Sequence, residues 1–221
     1  MFPLPDQVSL STAAALPLNY LTMHFALHHR AHLRVGETVL VHGAAGGLGM
    51  AACQLAAAYG ARVVAVVSTT AKSEIARSAG AHDVAFVDGF RNTVRRITDN
   101  RGVDVIVDPV GGDRFIDSLR CLATEGRLLV MGFAGRSIPS VKVNRLLLTN
   151  TAVMGAASEE YWQINPDYPR QQWSELLPMI TSGAVRPSIG HVLPLSRATE
   201  ALLLLDERRT SGRVLIQLRA D

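Results

Sequence analysis

Short aliphatic runs alternate with amphipathic stretches from residue 38 to residue 155 of the chain. The run at 62–67 is continuously apolar after its first residue, as expected for a strand buried on both faces of a sheet. The runs predict strands at 38–42, 62–67, 84–87, 103–107, 127–131 and 151–155, and the stretches between them predict helices at 47–59, 71–79, 90–99 and 113–122. Strands separated by helices in this order predict an α/β fold with a doubly wound parallel sheet.

The segments on either side of this region have a different pattern. Ser11 and Thr12 precede an alanine-rich stretch, which predicts a helix that Pro17 kinks or restarts and that runs to about residue 33. Aromatic residues become more frequent after residue 156. There the pattern predicts a helix at 171–182 that contains Pro178, an extended segment at 188–193, a helix at 196–206 and a final strand at 212–218.

The turn after the first predicted strand is the most informative local feature. It lies between the aliphatic run at 39–41 and an Ala/Leu-rich helix, and it contains the pattern Ala44-x-Gly46-x-x-Gly49. A tight turn lets a diphosphate approach the backbone, and the helix N-terminus offers unpaired N–H groups and a positive dipole to the anion. The pattern predicts a dinucleotide site, although alanine stands at the usual first glycine. The alternative is a plain βα turn without a ligand.

Composition and charge restrict the classes of partner. The 221 residues carry a formal net charge of +3, and the basic residues are scattered, which argues against a nucleic-acid interface. Cys53 and Cys121 lack the spacing of a disulfide framework or a zinc site, which favours a reducing compartment. The N-terminus does not resemble a signal peptide, and no apolar run reaches the ~18 residues that span a bilayer. We therefore expect a cytoplasmic protein with neither a nucleic-acid nor a membrane partner.

The end of the second predicted strand bears on cofactor choice. NAD-binding sites place Asp or Glu about 20 residues beyond the glycine turn, where the carboxylate binds the ribose 2′-hydroxyl. Here the sequence continues from Val67 through Ser68 to Lys72 without an acid. A hydroxyl and a lysine suit a 2′-phosphate, which a carboxylate would repel. These residues favour NADP, and the alternative for Lys72 is a surface residue on a first helical turn.

Several motifs occur in a recognisable order and cover nearly the whole chain. They are Leu21-Thr22 with Ala26-Leu27, the stretch from Gly36 through Gly49, Gly80-Ala81-His82, Asp108-Pro109-Val110-Gly111-Gly112-Asp113, Gly126-Arg127, Met131-Gly132-Phe133, Leu193-Pro194-Leu195 and Ser211-Gly212-Arg213-Val214-Leu215-Ile216. With these motifs the chain resembles the zinc-free, zeta-crystallin-like quinone oxidoreductase branch of the medium-chain dehydrogenase/reductase superfamily.

The resemblance implies a domain organisation. It implies an NADP-binding Rossmann domain at 11–156, preceded at 1–10 by a linker or a remnant of the catalytic domain. The region 157–183 is then a helical continuation of the cofactor domain. The C-terminal tail at 184–221 resembles the part of a GroES-like catalytic domain that returns to it. We expect the N-terminal GroES-like domain of such relatives to be absent here, because the sequence begins at the linker.

The resemblance also implies which residues bind NADP. Backbone N–H groups in the glycine turn hold the pyrophosphate, two residues after the second strand hold the 2′-phosphate, and two later loops contact the nicotinamide half. The residues concerned are Ala45, Gly46, Gly47 and Leu48 in the turn, Ser68 and Lys72 after the second strand, and Gly132, Phe133, Ala134, Gly155 and Ala156 in the later loops. The alternative for Phe133 is a core residue.

No catalytic residue and no metal ligand is identified. Zinc-using relatives place a cysteine just before the motif Leu21-Thr22, and residues 17–20 contain none. His24, His28 and His32 share one predicted helix face, but their helix contains no carboxylate or cysteine to complete a zinc site, so we interpret the face as a polar surface. Tyr20 is a further candidate for contact with cofactor or substrate, as is the threonine two residues later. Asp108 matches a family position and is alternatively a turn former.

The resulting functional hypothesis is a zinc-independent, NADPH-dependent oxidoreductase. The resemblance implies hydride transfer to a small-molecule quinone or α,β-unsaturated carbonyl, with the protein orienting the cofactor and excluding water. One alternative is an enoyl-thioester reductase, and another is a nucleotide-binding module without turnover. The apolar edge strand at 151–155 requires a cover, and relatives pair there across a two-fold axis, so we expect a homodimer.

Overall fold

The computed structural model describes residues 2–207, 210 and 212–218, so the predicted tail at 184–221 extends beyond the described residues. Its centre is a sheet of six parallel strands in the order β3-β2-β1-β4-β5-β6. The strands are β1 (Thr38–His42), β2 (Arg62–Val67), β3 (Asp83–Phe86), β4 (Val103–Asp108), β5 (Leu122–Val130) and β6 (Ala152–Gly155). The order is that of a doubly wound Rossmann sheet, which confirms the predicted fold class.

Helices cover both faces of the sheet. The α-helices of the described residues, of which α10 packs on a second sheet, are α1 (Leu10–Ala15), α2 (Pro17–His24), α3 (Gly47–Ala58), α4 (Thr70–Ser78), α5 (Phe90–Ile97), α6 (Phe115–Leu119), α7 (Asn144–Thr149), α8 (Ser158–Ile164), α9 (Tyr168–Thr181) and α10 (Ala198–Asp206). Successive residues of a strand point to opposite faces. Val39 of β1 therefore belongs to the same core cluster as Met23 and Leu55, whereas Leu40 belongs with Phe90 to the cluster on the other face.

The boundary between α6 and β5 differs from the prediction. The helix expected at 113–122 is a 3-10 turn (Gly112–Arg114) followed by the short α6, and β5 begins at Leu122 rather than at 127. Leu122 pairs with Val103, and the pairing then shifts register before Arg127. This bulge includes Glu125, whose φ is 63°. A bulge interrupts the alternation of buried and exposed residues, so the pattern indicated a turn where the strand continues.

The N-terminal helix restarts at Pro17, as the sequence predicts. Proline fits the first turn of a helix because an N–H at that position would have no acceptor within the helix. A π-helical turn (Phe25–Arg30) continues α2 and was not predicted. Near the other end of the chain, α9 begins at Tyr168, three residues before its predicted start, and contains Pro178.

A separate two-stranded parallel sheet follows α9. It consists of β7 (Ile189–Pro194) and β8 (Arg213–Gln217), and α10 lies between them in sequence. The predicted extended segment and final strand are therefore paired with each other and not with the main sheet. Among the helices that the structure describes, none is both long enough and apolar enough to cross a bilayer.

Candidate functional site

A crevice of about 510 Å³ opens at the carboxyl ends of the central strands. Here β1 lies beside β4, and the helices that follow these two strands pack on opposite faces of the sheet. Open α/β sheets bind ligands at such a reversal of strand order. The described lining comes from the turn after β1 and from the connections after β2, β3, β4 and β5, together with two residues near the end of α10. These are residues 43–49, Val66, Val67, Ser68, Lys72, Val87, Pro109, Val110, Arg114, Ala134, Gly135, Leu205 and Thr210.

The turn after β1 presents backbone donors to this crevice. The Gly46 N–H donates to the Gly43 carbonyl over 2.9 Å, and the Met50 N–H donates to the Gly46 carbonyl over 2.8 Å. The N–H groups of the first three residues of α3 lie between these bonds and have no acceptor within the helix. These three residues line the crevice at the positive end of the helix dipole, so the turn is suited to an anion.

Gly49 is the position at which a side chain cannot fit. A Cβ there would overlap the Gly43 carbonyl oxygen and would lie 2.7 Å from Ala44 Cα. Both neighbours are backbone atoms of the same turn, so they cannot rotate away as a side chain would. The third glycine of the motif therefore reflects the close approach of α3 to the turn.

Ser68 and Lys72 form a polar wall beyond β2. The Thr69 hydroxyl caps α4 by accepting the backbone N–H of Lys72 over 3.3 Å. Lys72 Nζ also lies 3.3 Å from Ser68 Oγ, so the ammonium and the hydroxyl face the crevice together. The described lining contains no carboxylate. Its two charged groups are Lys72 and Arg114, which makes the crevice positive.

Asp108 shapes the wall that follows β4. Its Oδ1 accepts the backbone N–H groups of Val110 and Gly111, each over 2.9 Å. The side chain is buried and turned toward the loop backbone. Of the two interpretations left open by the sequence, the structure shows the turn former.

His42 lies at the end of β1, buried beneath the same wall. Its Nε2 is 2.8 Å from Ser118 Oγ, and that hydroxyl donates its one proton to the Arg114 carbonyl over 3.0 Å. His42 Nε2 is therefore the donor in this pair. The pKa of His42 is lowered to about 4, chiefly by burial, with Asp108 opposing the shift and Arg114 adding to it. The neutral imidazole links β1 to α6 and does not serve as an acid near pH 7.

The structure brings most of the predicted cofactor residues to this crevice. Those that line it are Ala45, Gly46, Gly47, Leu48, Ser68, Lys72 and Ala134. Gly132 and Phe133 precede Ala134 but lie outside the lining, as do Gly155 and Ala156 at the end of β6.

The loop after β5 is held beside the loop after β4. The Ala134 N–H donates to the Pro109 carbonyl over 3.1 Å, and the Gly135 N–H donates to the Val110 carbonyl over 2.8 Å. Phe133 is 41% exposed next to these bonds, so it is not a core residue. The loop is thus placed at the rim of the crevice with an aromatic ring accessible to a ligand.

Sequence analysis missed several wall residues. Arg114 could have been predicted from the sequence, because it is a cation in the first turn after a strand whose end was expected to border the ligand. Gly135 could have been inferred as a neighbour of Ala134. Leu205 and Thr210 carried no signal, since they reach the crevice only through the packing of the C-terminal segment.

His28 and His32 are exposed, as the interpretation of the histidine face as a polar surface predicts, but that interpretation is wrong for His24. This residue is 2% exposed, with Nε2 2.9 Å from Glu175 Oε2 and Nδ1 3.2 Å from Gln172 Nε2. Burial lowers the pKa of His24, and Glu175 opposes that shift. The His29 ring packs 4.7 Å from the Tyr161 ring. Within the described ranges, no group of three His, Cys, Asp or Glu side chains could hold a metal ion.

The other two candidates for ligand contact lie away from the crevice lining. The Tyr20 hydroxyl donates to Gln54 Oε1 over 2.9 Å, and burial raises the pKa of this tyrosine. Thr22 Oγ1 lies 3.1 Å from Ser158 Oγ. Both residues connect α2 to a neighbouring helix.

Comparison with known proteins agrees with this geometry. Residues 47–182 match the family model described as zinc-binding dehydrogenase. The chain is 40% identical to quinone oxidoreductase-like protein 2 of Bos taurus over 222 residues, which are 99% of this chain and 64% of that protein. The chain thus spans slightly less than two thirds of that relative's length.

Solved structures give the same result. A probable oxidoreductase from Mycobacterium abscessus is 41% identical with a TM-score of 0.87, over 98% of this chain and 65% of that one. The quinone oxidoreductase from Thermus thermophilus, solved also as its complex with NADPH, is 34% identical with a TM-score of 0.86, over 98% of this chain and 69% of that one. The predicted resemblance to the medium-chain dehydrogenase/reductase superfamily is confirmed. The chain therefore belongs to the zinc-binding dehydrogenase family and is similar, within it, to quinone oxidoreductases.

Proposed function

We propose that this chain binds NADPH in the crevice between the β1–α3 turn and the β4 loop. Ala45, Gly46, Gly47 and Leu48 form the turn that binds the pyrophosphate, with the N–H groups of Gly47 and Leu48 left free to donate because that of Gly46 already donates to Gly43. Ser68 with Lys72 binds the 2′-phosphate. One observation carries the proposal: the free N–H groups at the start of α3 face a crevice that is positively charged. Its lining, among the described residues, contains no carboxylate. The complex of the Thermus relative with NADPH supports the same cofactor.

The remaining predicted cofactor residues form the nicotinamide end of the proposed site. Gly132 and Phe133 with Ala134 form the loop beside Pro109, and Gly155 and Ala156 end the neighbouring strand. When bound, the reduced nicotinamide supplies a hydride. The chain's own residues orient that ring and exclude water, and none of them is assigned as a catalytic acid.

The acceptor is a small-molecule quinone or α,β-unsaturated carbonyl, and the reaction is zinc-independent. The names of the relatives support the quinone class. Zinc independence is supported by the absence of cysteine from residues 17–20 and by the burial of both thiols, Cys53 and Cys121, as free side chains. These thiols also support a cytoplasmic location, because a reducing compartment keeps cysteines unpaired.

The domain organisation is part of the same proposal. Residues 11–156 form the NADP-binding domain, 1–10 are a linker or remnant of the catalytic domain, and 157–183 continue the cofactor domain. Residues 184–221 correspond to the return of a GroES-like catalytic domain. The two-stranded sheet of β7 and β8, separate from the main sheet, supports this last boundary. The proposed assembly is a homodimer, supported by the uncovered edge of β6.

A paired binding and turnover experiment tests the proposal. NADPH fluorescence is titrated against the full chain, and NADPH consumption is then followed with a quinone, an enone and an enoyl thioester as acceptors. Binding with quinone or enone reduction is the expected result. Binding of NADPH without its consumption contradicts the reductase and supports a nucleotide-binding module. Consumption only with the thioester identifies an enoyl-thioester reductase. A chain that does not bind NADPH at all contradicts the proposed cofactor site itself.

A further inference from the structure

Arg114 is a second cation on the described crevice lining, on the wall opposite Lys72. It belongs to the 3-10 turn after β4, whereas Lys72 lies on α4 after β2. Because β2 and β4 flank β1 on its two sides, the two cations face the crevice from opposite directions. Lys72 and Ser68 already account for a 2′-phosphate on the β2 side. Arg114 therefore faces a different part of the ligand.

The charge of Arg114 is free to interact with a ligand. By contrast, Arg91 and Arg120 both form ion pairs with Asp117, at 3.5 Å and 3.0 Å respectively. Arg114 forms no ion pair or side-chain hydrogen bond with any residue that the structure describes. Its side chain lies on the crevice lining together with Pro109 and Val110.

The backbone of Arg114 is held in place by a hydrogen bond, although its side chain forms none with the described residues. Its carbonyl accepts the Ser118 hydroxyl over 3.0 Å, and the adjacent Phe115 is 3% exposed in the core. The Cα position is thus fixed by α6, and only the side chain extends into the crevice. A fixed base with a half-buried, unpaired guanidinium is what a preorganised ligand contact requires.

The crevice that Arg114 lines also has aliphatic walls. Val67 and Val87 line it at the ends of β2 and β3, and Pro109 and Val110 line it after β4. A flat, uncharged ring fits between such walls better than a phosphate does, because the walls offer no donors. A guanidinium is planar and stacks on aromatic faces as well as pairing with anions.

We infer that Arg114 stacks its guanidinium on the adenine ring of the cofactor and so determines affinity for the adenosine half. The inference rests on the proposed function and extends it to a residue outside the predicted site. It separates the two cations by role: Lys72 distinguishes NADPH from NADH, whereas Arg114 contributes equally to both. Arginine, rather than lysine, is required because a compact ammonium has no plane to stack.

The test is calorimetric titration of the full chain with NADPH, NADH and adenosine 2′,5′-bisphosphate. Arg114→Ala is expected to weaken all three by about the same factor, near tenfold, and Arg114→Lys is expected to recover little of the loss. Arg120→Ala is the matched control, because it removes an arginine from the next helical turn that is paired to Asp117 outside the lining. Thermal unfolding of each variant reports folding, and Arg114→Met replaces the alanine variant if that variant unfolds.

The outcomes separate the inference from the proposed function. Unchanged affinities in Arg114→Ala and Arg114→Met overturn the contact while leaving the cofactor site intact. A loss that Arg114→Lys restores, or one confined to ligands with the 2′-phosphate, overturns stacking in favour of phosphate pairing. Failure of the unaltered chain to bind any of the three ligands refutes the proposed function and this inference with it.

Discussion

At the scale of single residues, Lys72 occupies a position that helix stability does not explain. It lies on the first turn of α4, where a cation opposes the helix dipole by about 0.3–1 kcal/mol. The Ser68 hydroxyl at 3.3 Å offers no compensating charge. A ligand phosphate would supply that charge, which supports the binding role proposed for Lys72.

Substitution of Lys72 separates these two roles. We expect the unaltered chain to bind NADPH at least about tenfold more tightly than NADH, a difference of about 1.4 kcal/mol. Lys72→Gln should abolish that preference with no loss in the free energy of unfolding, because the dipole favours the neutral side chain. Fluorescence titration and urea unfolding measure the two quantities. Arg77→Gln, in the last turn of the same helix, is the control that should keep the preference. Equal affinities in the unaltered chain would refute the role of Lys72.

Gly49 gives a second prediction at this scale. A Cβ at this position would overlap the turn backbone, so Gly49→Ala should push α3 away from the turn. We expect a loss of about 2 kcal/mol or more in the free energy of unfolding and at least tenfold weaker NADPH binding, since the N–H groups of the turn move. Gly89→Ala is the comparison at a glycine with no atom within 4 Å of the added carbon, although its φ of 77° adds some strain. An unaffected Gly49→Ala protein would contradict the close packing described for the turn.

At the scale of elements, an ion-pair network joins the amino ends of the strands, away from the crevice. Arg127 of β5 donates to both carboxylate oxygens of Glu37 over 2.8 Å and 2.7 Å, and to the Ala31 carbonyl over 2.7 Å. Asp104 of β4 accepts the Thr38 N–H of β1 over 2.8 Å. The network therefore ties three adjacent strands to the segment that precedes β1.

These contacts predict a pH dependence of stability. Burial by itself would raise the pKa of Glu37 and of Asp104, but hydrogen bonds from Arg127 and Arg101 respectively, together with backbone donors, lower both pKa values below their ordinary values of 4.5 and 3.8. A carboxyl group with a lowered pKa stabilises the fold above its unfolded pKa, and that stabilisation disappears as the pH falls through the folded value. We expect the urea midpoint to fall progressively below about pH 5.

The variant Glu37→Gln tests the origin of that dependence. It leaves Arg127 with one fewer charged partner in a site where the Glu37 side chain is 19% exposed, so we expect a loss of about 2 kcal/mol at pH 7. The slope of stability against pH between 5 and 3 should also become shallower. Glu200→Gln, which breaks the exposed pair with Arg197, is the control and should change little at either pH. If stability depends on pH as steeply in Glu37→Gln as in the unaltered chain, Glu37 is not the origin of the acid sensitivity.

At the scale of the whole molecule, the β6 edge of the main sheet is the surface of the proposed homodimer contact. Ala152 and Gly155 are exposed along it, and the helix leading into it presents Leu147 and Leu148 at 75% and 77% exposure. An apolar sheet edge favours pairing with another strand, and a second copy supplies an identical one. The chain is therefore expected to self-associate through β6.

Light scattering at a protein concentration of about 100 μM should report a dimer. This concentration is well above the dissociation constant of a standard-sized interface. Leu147→Glu combined with Leu148→Glu should give a monomer, because two charges would be buried in the pair. The control is Leu202→Glu, at an equally apolar exposed position on α10. A monomeric unaltered chain, or a dimer that survives both substitutions, would remove β6 as the interface.

The sequence alone determined the parallel sheet and the glycine turn, because strand burial and tight βα turns depend on residues that are neighbours in the chain. Val39 to Gly49 carry both in one continuous stretch. The sequence also indicated Ser68 and Lys72, which lie at a fixed distance beyond that turn.

Only the tertiary structure decided what reaches these elements from elsewhere. The bulge in β5 depends on pairing with β4, and the burial of His24 depends on Glu175 arriving from α9. Leu205 and Thr210 reach the crevice from the far end of the chain. Such contacts join residues far apart in sequence, so no local pattern of polar and apolar positions records them.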